Sequence, residues 1–448
     1  MKKRLLYILL FVALAIIGYF ITLSQFPKSA SRYPFFIFLF LVDIYVWFSA
    51  GYLVRKMRKP ARIGVGIIYW MPAFLMVASV VMSSFYPMTQ WPHWISAYLF
   101  GVVFVFYFSK LIALIFILLS DIIRFSIFIL LKTISAISKK QDKAEKVAMT
   151  RGTFLKTVGL ASGGVILGTF VTGMIKWVHD FQVKQINLSF PNLPKAFDGL
   201  RIVQVSDIHL GSFPSINILN EAIELINNQN PDYVFFTGDL VNSVTDEAYR
   251  FKDSLKAIQA KNGTYSILGN HDYGDYVSWD TPEEKAKNMQ ALYDLFNELG
   301  WKLLDNENEI WVRGEDRIAL LGVQNWSSNP RFPKHGDIDK SLEGTEGIPF
   351  KILLSHDPTH WENMISKDYP DIDLTLSGHT HGMQMGFEFK NFRWSPAQYI
   401  YKYWAGLYST LHGDREQYLY VNRGLGVIGY MGRVGILPEI TLITLESK

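Results

Sequence analysis

The 448 residues leave room for about two or three domains, and 49% hydrophobic content with only 19% charged residues is high for a soluble chain. A formal net charge of +4, with the basic residues clustered beside apolar runs, argues against nucleic acid as a partner. The absence of cysteine excludes disulfides and thiolate metal sites.

The first part of the chain is dominated by apolar runs long enough to cross a bilayer, which takes ~20 helical residues for ~30 Å of hydrocarbon. Five runs read as spans, at 5–23, 34–54, 63–84, 95–119 and 157–175. Lys2, Lys3 and Arg4 precede the first in the manner of a signal peptide, but no small-residue cleavage site follows it and further spans do. Arg55, Lys56, Arg58, Lys59 and Arg62 fall between the second and third runs. Lys139, Lys140, Lys143, Lys146, Arg151 and Lys156 fall between the fourth and fifth, whereas loop 87–94 has no Lys or Arg. The positive-inside rule then places the N-terminus and both basic loops in the cytoplasm and everything after Trp177 outside, with Lys28 and Arg32 dissenting mildly. The stretch 121–140, interrupted by Arg124 and Lys132, reads either as an interfacial helix or as the tail of the fourth span. Residues 151–156 resemble a twin-arginine export signal with one arginine missing, and an ordinary basic flank explains them more simply. Apart from Asp43 there is little charge inside the spans, which speaks against an ion path and a transporter role. Residues 1–176 thus read as a multi-pass membrane region and 177–448 as a separate globular domain. The expected location is the plasma membrane, and the first expected partner is the lipid bilayer.

From Gln182 the periodicity changes. Strands are expected at 184–190, 200–206, 232–237, 264–268, 350–355, 372–377, 417–421 and 439–445, a hairpin near 308–322, and helices at 216–229, 247–260 and 282–299. This alternation predicts an α/β domain, in which ligands gather at the carboxyl ends of strands.

Five polar clusters stand at those ends. Ser206-Asp207-Ile208-His209 comes first; two residues apart on an extended backbone, a carboxylate and an imidazole point the same way and can share one cation. Thr237-Gly238-Asp239-Leu240 closes the next strand, and Leu268-Gly269-Asn270-His271-Asp272 closes a third, where Gly269 lets the backbone turn. Ser355-His356 and Ser377-Gly378-His379-Thr380-His381 complete the set, the last repeating the two-residue spacing. Each cluster alone would read as a turn or a cap. Together they supply Asp, Asn and His donors suited to Zn, Mn or Fe, and five of the ten histidines fall within them. His93, His179, His335, His360 and His412 have no comparable neighbours and read as surface or packing residues.

In order and spacing these motifs resemble the calcineurin-like metallophosphoesterase superfamily over most of 200–445, and with the preceding spans they look most like its membrane-linked branch. The resemblance implies a four-layer α/β/β/α sandwich with two divalent metal ions. Carried over motif by motif, Asp207, His209 and His381 would bind one ion, Asn270, His356 and His379 the other, and Asp239 would bridge both. His271 would bind no metal and would face the scissile phosphate. The implied reaction is hydrolysis of a phosphate ester, phosphodiester or pyrophosphate by a hydroxide bridging two cations about 3.5–4 Å apart. His271 would then assist the leaving group as a general acid or positive donor. Many family members carry a further Asp three residues after the bridging one, in support of this histidine. This chain has Asn242, which can orient an imidazole but cannot stabilise its cation by charge.

The substrate is less legible. Aromatic residues over 387–408 interleave with Lys390, Arg393 and Lys402, which suits a membrane interface and a phospholipid or lipid-linked substrate as well as it suits a packed insertion. Arg423, in Asn422-Arg423-Gly424-Leu425-Gly426, could reach a substrate phosphate. The rival from another class is a catalytically weak membrane sensor or partner-binding protein on the same fold; a missing ligand would favour it, and none is missing.

Overall fold

A computed structural model describes residues 2–25, 27–86, 91, 93–137, 143–389 and 392–448. Most of loop 87–94 and the basic residues Lys139, Lys140 and Lys390 lie outside the described residues. The chain divides into two compact units, Met1–Val171 and Thr172–Lys448.

The first unit is helical. Among the described residues, four helices are long and apolar enough to cross a membrane: Tyr33–Val54, Lys59–Ser83, Ile95–Leu130 and Phe154–His179. The first expected span is helical as Lys2–Gln25, and its described apolar part is the shorter Val12–Gln25. The stretch beginning at Asp121 is no separate element, because one helix runs unbroken from His93 to Ile137. Asp43 is not the lone charge the sequence suggested. Lys110, on a neighbouring span, places Nζ 2.5 Å from its Oδ1, and the Tyr107 hydroxyl donates to Oδ2 at 2.7 Å. Lys110 also donates to the Tyr69 carbonyl at 2.9 Å, so both buried charges are paired, as burial demands.

Among the described residues, the second unit is built on fourteen strands. They are β1 (Gln182–Phe190), β2 (Leu200–Val205), β3 (Tyr233–Phe236), β4 (Thr264–Ser266), β5 (Trp301–Leu303), β6 (Glu307–Arg313) and β7 (Asp316–Gly322). There follow β8 (Lys351–Leu354), β9 (Leu374–Ser377), β10 (Phe387–Phe389), β11 (Phe392–Trp394), β12 (Gly406–His412), β13 (Arg415–Val421) and β14 (Glu439–Ser447). One six-stranded sheet has the order β1-β14-β2-β3-β4-β5, the other β12-β13-β9-β8-β7-β6, and β10-β11 form a separate hairpin. β2, β3, β4 and β5 are parallel, as are β7, β8, β9 and β13, so several strands of each sheet end on the same side.

Period-two alternation explains the layers. On β2 and β3, Ile202, Tyr233 and Phe235 face the second sheet and pack with Leu320, Ile352, Leu374 and Tyr420. Val203, Val205, Val234 and Phe236 face the other way, onto helices Ile216–Asn227 and Pro282–Leu299 through Leu219, Ile223, Leu292 and Phe296. On the second sheet Leu321, Leu353, Leu419 and Val421 pack outward against Ile338, Trp361 and Ile365. The result is the expected α/β/β/α sandwich. Helix Pro282–Leu299 is framed by its own sequence: Thr281 accepts from the Glu284 N–H, Pro282 opens the first turn, and Gly300 closes it at φ 72°. The single helix expected at 247–260 is instead two short ones, Asp246–Tyr249 and Lys252–Lys256, because Phe251 leaves helical geometry (φ −104°, ψ 1°) and buries its ring.

Candidate functional site

The loops that follow β2, β3, β4, β8 and β9 meet at one end of the two sheets, and they bring the predicted side chains together. His381 Nε2 lies 3.2 Å from Asp207 Oδ1 and 3.1 Å from His209 Nε2. His209 Nε2 is 3.6 Å, and His356 Nε2 3.1 Å, from Asp239 Oδ2. Three groups able to hold a cation emerge: Asp207 with His209 and His381, Asp239 with His356 and His379, and His209 with Asp239 and His271. Asp239 belongs to two of them. The Asn270 amide donates to the Tyr276 hydroxyl at 2.7 Å, and the Tyr276 ring stacks on His271 at 4.0 Å, so Asn270 stands beside the same cluster.

The convergence does not come from extended backbone, as the two-residue spacing suggested. Asp207 (φ 48°), His209 (φ 47°), Asp239 (φ 61°), His379 (φ 70°) and His381 (φ 49°) all sit in the left-handed region beyond the strand ends. Such conformations are costly for residues with a side chain and persist where surrounding contacts enforce them. Here the enforcing contacts are visible. The His379 N–H donates to both Asp207 oxygens at 3.1 and 3.0 Å, and the His271 N–H donates to Asp239 Oδ1 at 2.7 Å. Gly238 is required by proximity, since a Cβ there would meet the Gly269 nitrogen at 2.5 Å and His356 Nδ1 at 2.8 Å.

Three further residues shape the site: Asp272, which the sequence placed in a motif without a role, and Asp357 and Arg433, which it did not single out. The Asp272 carboxylate accepts from the N–H groups of Gly269, Asp239, Leu240 and Val241, joining two site loops. Asp357 is buried, with Oδ2 3.5 Å from His379 Nε2, which also meets the Tyr401 hydroxyl at 3.0 Å. Fully buried Arg433 donates to the carbonyls of Arg423, Gly424 and Gly426 at 2.9, 3.0 and 2.6 Å, bracing the turn against Asp207 and His381. A polar residue directly after the Gly-Asn-His run was a weak signal for Asp272; nothing local distinguishes the other two. Arg423 itself is not offered to a substrate: it is buried against Glu439 and lies 2.5 Å from Glu388. Asn242 supports His271 through its main chain, because the ring Nδ1 lies 2.6 Å from the Asn242 carbonyl and must donate to it. His360 is a packing residue, stacked on Trp326 and bonded to Ser355.

Electrostatics and unmet bonds fit a cationic guest. Burial opposes ionisation of Asp207 and Asp239, yet the surrounding imidazoles outweigh it and hold both below the ordinary carboxylate range. Burial, helped by the neighbouring imidazoles, pushes His209 and His379 down, toward the neutral form that donates a lone pair. The Thr237 carbonyl takes the proton of His356 Nδ1 at 2.7 Å, directing the other nitrogen at Asp239. Among the described residues, His209 Nδ1, His356 Nε2 and Asn270 Oδ1 are buried without a well-directed hydrogen bond, which is costly unless another partner is bound.

Imidazoles and carboxylates gathered at the strand ends of an α/β/β/α sandwich define the class as a metal-dependent enzyme. The family model described as calcineurin-like phosphoesterase matches residues 200–383, and the one described as a probable calcineurin-like phosphoesterase transmembrane domain matches 29–177. The chain is 29% identical over 364 residues to a transmembrane protein with metallophosphoesterase domain of Danio rerio, covering 80% of this chain and 75% of that one. It is 30% identical over 308 residues to the metallophosphoesterase YkuE of Bacillus subtilis, covering 67% and 98%. It is also 30% identical over 284 residues to the UDP-2,3-diacylglucosamine pyrophosphatase LpxG of Chlamydia trachomatis, covering 52% and 81%. The chain belongs to the calcineurin-like metallophosphoesterases, in the branch that carries a transmembrane region, and is a hydrolase of phosphoric ester bonds.

Proposed function

We propose that the chain hydrolyses a lipid-linked phosphate ester or pyrophosphate at the outer face of the plasma membrane, using two divalent cations held by the domain 177–448. The observation that supports this most is that Asp239 Oδ2 reaches a ligand of each set, 3.6 Å from His209 Nε2 and 3.1 Å from His356 Nε2. Asp207, His209 and His381 would hold one cation, Asn270, His356 and His379 the other, with Asp239 between them; Mn, Zn or Fe suits such donors. When bound, a pair of such cations polarises a phosphoryl oxygen and makes a nucleophile available at neutral pH. The chain's own residues do the rest. The Tyr401 hydroxyl orients His379 through Nε2, with the Asp357 carboxylate nearby at 3.5 Å, leaving its other nitrogen to the site. His271, with Nδ1 fixed on a carbonyl, keeps Nε2 to hold or give a proton at the leaving oxygen. Asp272 keeps the loops of Asp239 and His271 in fixed relation.

The lipid-linked substrate is supported by the membrane region and by the named substrate of the Chlamydia relative, a diacylated sugar nucleotide. The orientation rests on the two basic loops and holds whether or not the first apolar helix spans. The test is to purify the full chain, measure its metal content, and assay phosphomonoesters, phosphodiesters and lipid-linked pyrophosphates. Metal-loaded protein inactive on all of them would sink the proposal. Activity confined to small soluble monoesters would remove its lipid part.

A further inference from the structure

The hairpin β10-β11 sorts its aromatic and charged residues onto opposite faces. Phe387 pairs across it with Trp394, Glu388 with Arg393, and Phe389 with Phe392, so alternation puts four aromatic rings on one face and two charges on the other. In a water-facing hairpin the charges would be the exposed set. Here both charges are engaged by the domain, although Glu388 stays exposed: Glu388 lies 2.5 Å from Arg423 and 3.0 Å from Lys184, and Arg393 donates to the Ala405 carbonyl and lies over the Tyr408 ring. The aromatic face is left outside, with Phe389 70% and Phe392 58% exposed, and Tyr399 and Ile400 extend it at 75% and 64%. An exposed apolar patch of this kind marks an interaction surface.

The patch adjoins the site. Its base begins six residues after His381, Ser395 donates to the Gly382 carbonyl at 2.6 Å, and Tyr401, next to Ile400, touches His379. We propose that this aromatic face is an interfacial membrane-docking surface, inserted among lipid head groups with the active-site mouth beside it. The bilayer is the occupant the chain itself favours. Only Asp180 and Phe181 separate the last apolar span, Phe154–His179, from β1, a tether too short to let the domain drift far from the end of that span. Amphipathic aromatics are the side chains that settle at that depth. The proposal does not rest on the substrate reading above.

The chain has no cysteine, so single labels report cleanly. Full-length Phe389→Cys and Phe392→Cys, each carrying a nitroxide, are reconstituted in phosphatidylcholine–phosphatidylglycerol vesicles beside Val312→Cys, an exposed position on β6. Collision with oxygen, which partitions into lipid, is compared with collision with a water-soluble nickel chelate. Labels at 389 and 392 are expected to favour oxygen and the label at 312 to favour nickel, a reversal of the ratio. Labels at 389 and 392 that favour nickel as Val312→Cys does would overturn the proposal. Labels shielded from both agents would overturn it too, because protein rather than lipid would then cover the face.

Discussion

His271 and Asn242 are joined by a main-chain bond: ring Nδ1 donates to the residue-242 carbonyl at 2.6 Å, while the Asn242 side chain reaches only Val427, at 3.5 Å. The imidazole is therefore oriented without help from the side chain at 242. Asn242→Ala is expected to keep kcat/KM within about tenfold of the parent, whereas His271→Ala loses ~10²–10⁴-fold on an alkyl ester and much less on an activated aryl ester. Equal losses in the two variants would show that the side chain matters after all.

Asp239 differs from His271 in what it is expected to hold. Asp239→Asn removes a negative charge shared by two donor groups, so metal content measured by mass spectrometry should fall together with turnover. His271→Ala should keep its metal. The opposite pattern would reverse the assigned roles.

The carbonyls of Arg423, Gly424 and Gly426 all accept from one guanidinium, that of Arg433. Arg433→Met strands those of Arg423 and Gly426, while Gly424 keeps the Glu439 N–H, and a loss on the order of 3 kcal/mol is expected, read as a lowered Tm of the purified protein. An unchanged Tm would mean that the turn finds other donors.

Inside the helical unit, Asp43 and Lys110 form a buried pair. Removing either partner leaves an uncompensated charge, so Asp43→Asn and Lys110→Met should each destabilise by about 3–5 kcal/mol. Combining them should recover much of that loss. Additive losses in detergent-solubilised protein would argue that the two act separately.

Topology is open to a direct test. A reporter fused after Lys448 should score outside and one near Lys146 inside. The reverse pattern would bring the active site to the cytoplasm and metabolic intermediates into range as substrates.

What the sequence could reveal follows from where each property is stored. Asp207, His209, Asp239, Asn270, His271, His356, His379 and His381 were legible because each closes an apolar run, and strand ends are where open sheets present their chemistry. The left-handed turns that aim five of them were hidden, since φ there is set by contacts such as the His379 N–H on Asp207. Arg433 and Asp357 were hidden for a related reason: their partners are distant in the chain or are backbone atoms common to every residue. Lys110 was passed over because one cation in a long apolar run reads as an exception until Asp43 is seen opposite it. β12 was masked by the aromatic content of its neighbourhood, which suits a packed strand and a membrane surface alike.

β14 lies between β1 and β2, pairing with β1 from Gln182↔Glu439 to Phe190↔Ser447. During synthesis, then, β1 emerges some 250 residues before its neighbour in the sheet exists, and the sheet cannot be completed until the last strand has been made. The domain must stay open while it is being produced, which suits a polypeptide threaded across a membrane before it folds. It also makes the final strand a checkpoint: a chain cut short before Glu439 would leave both β1 and β2 with bare edges, ready to pair with a neighbouring chain.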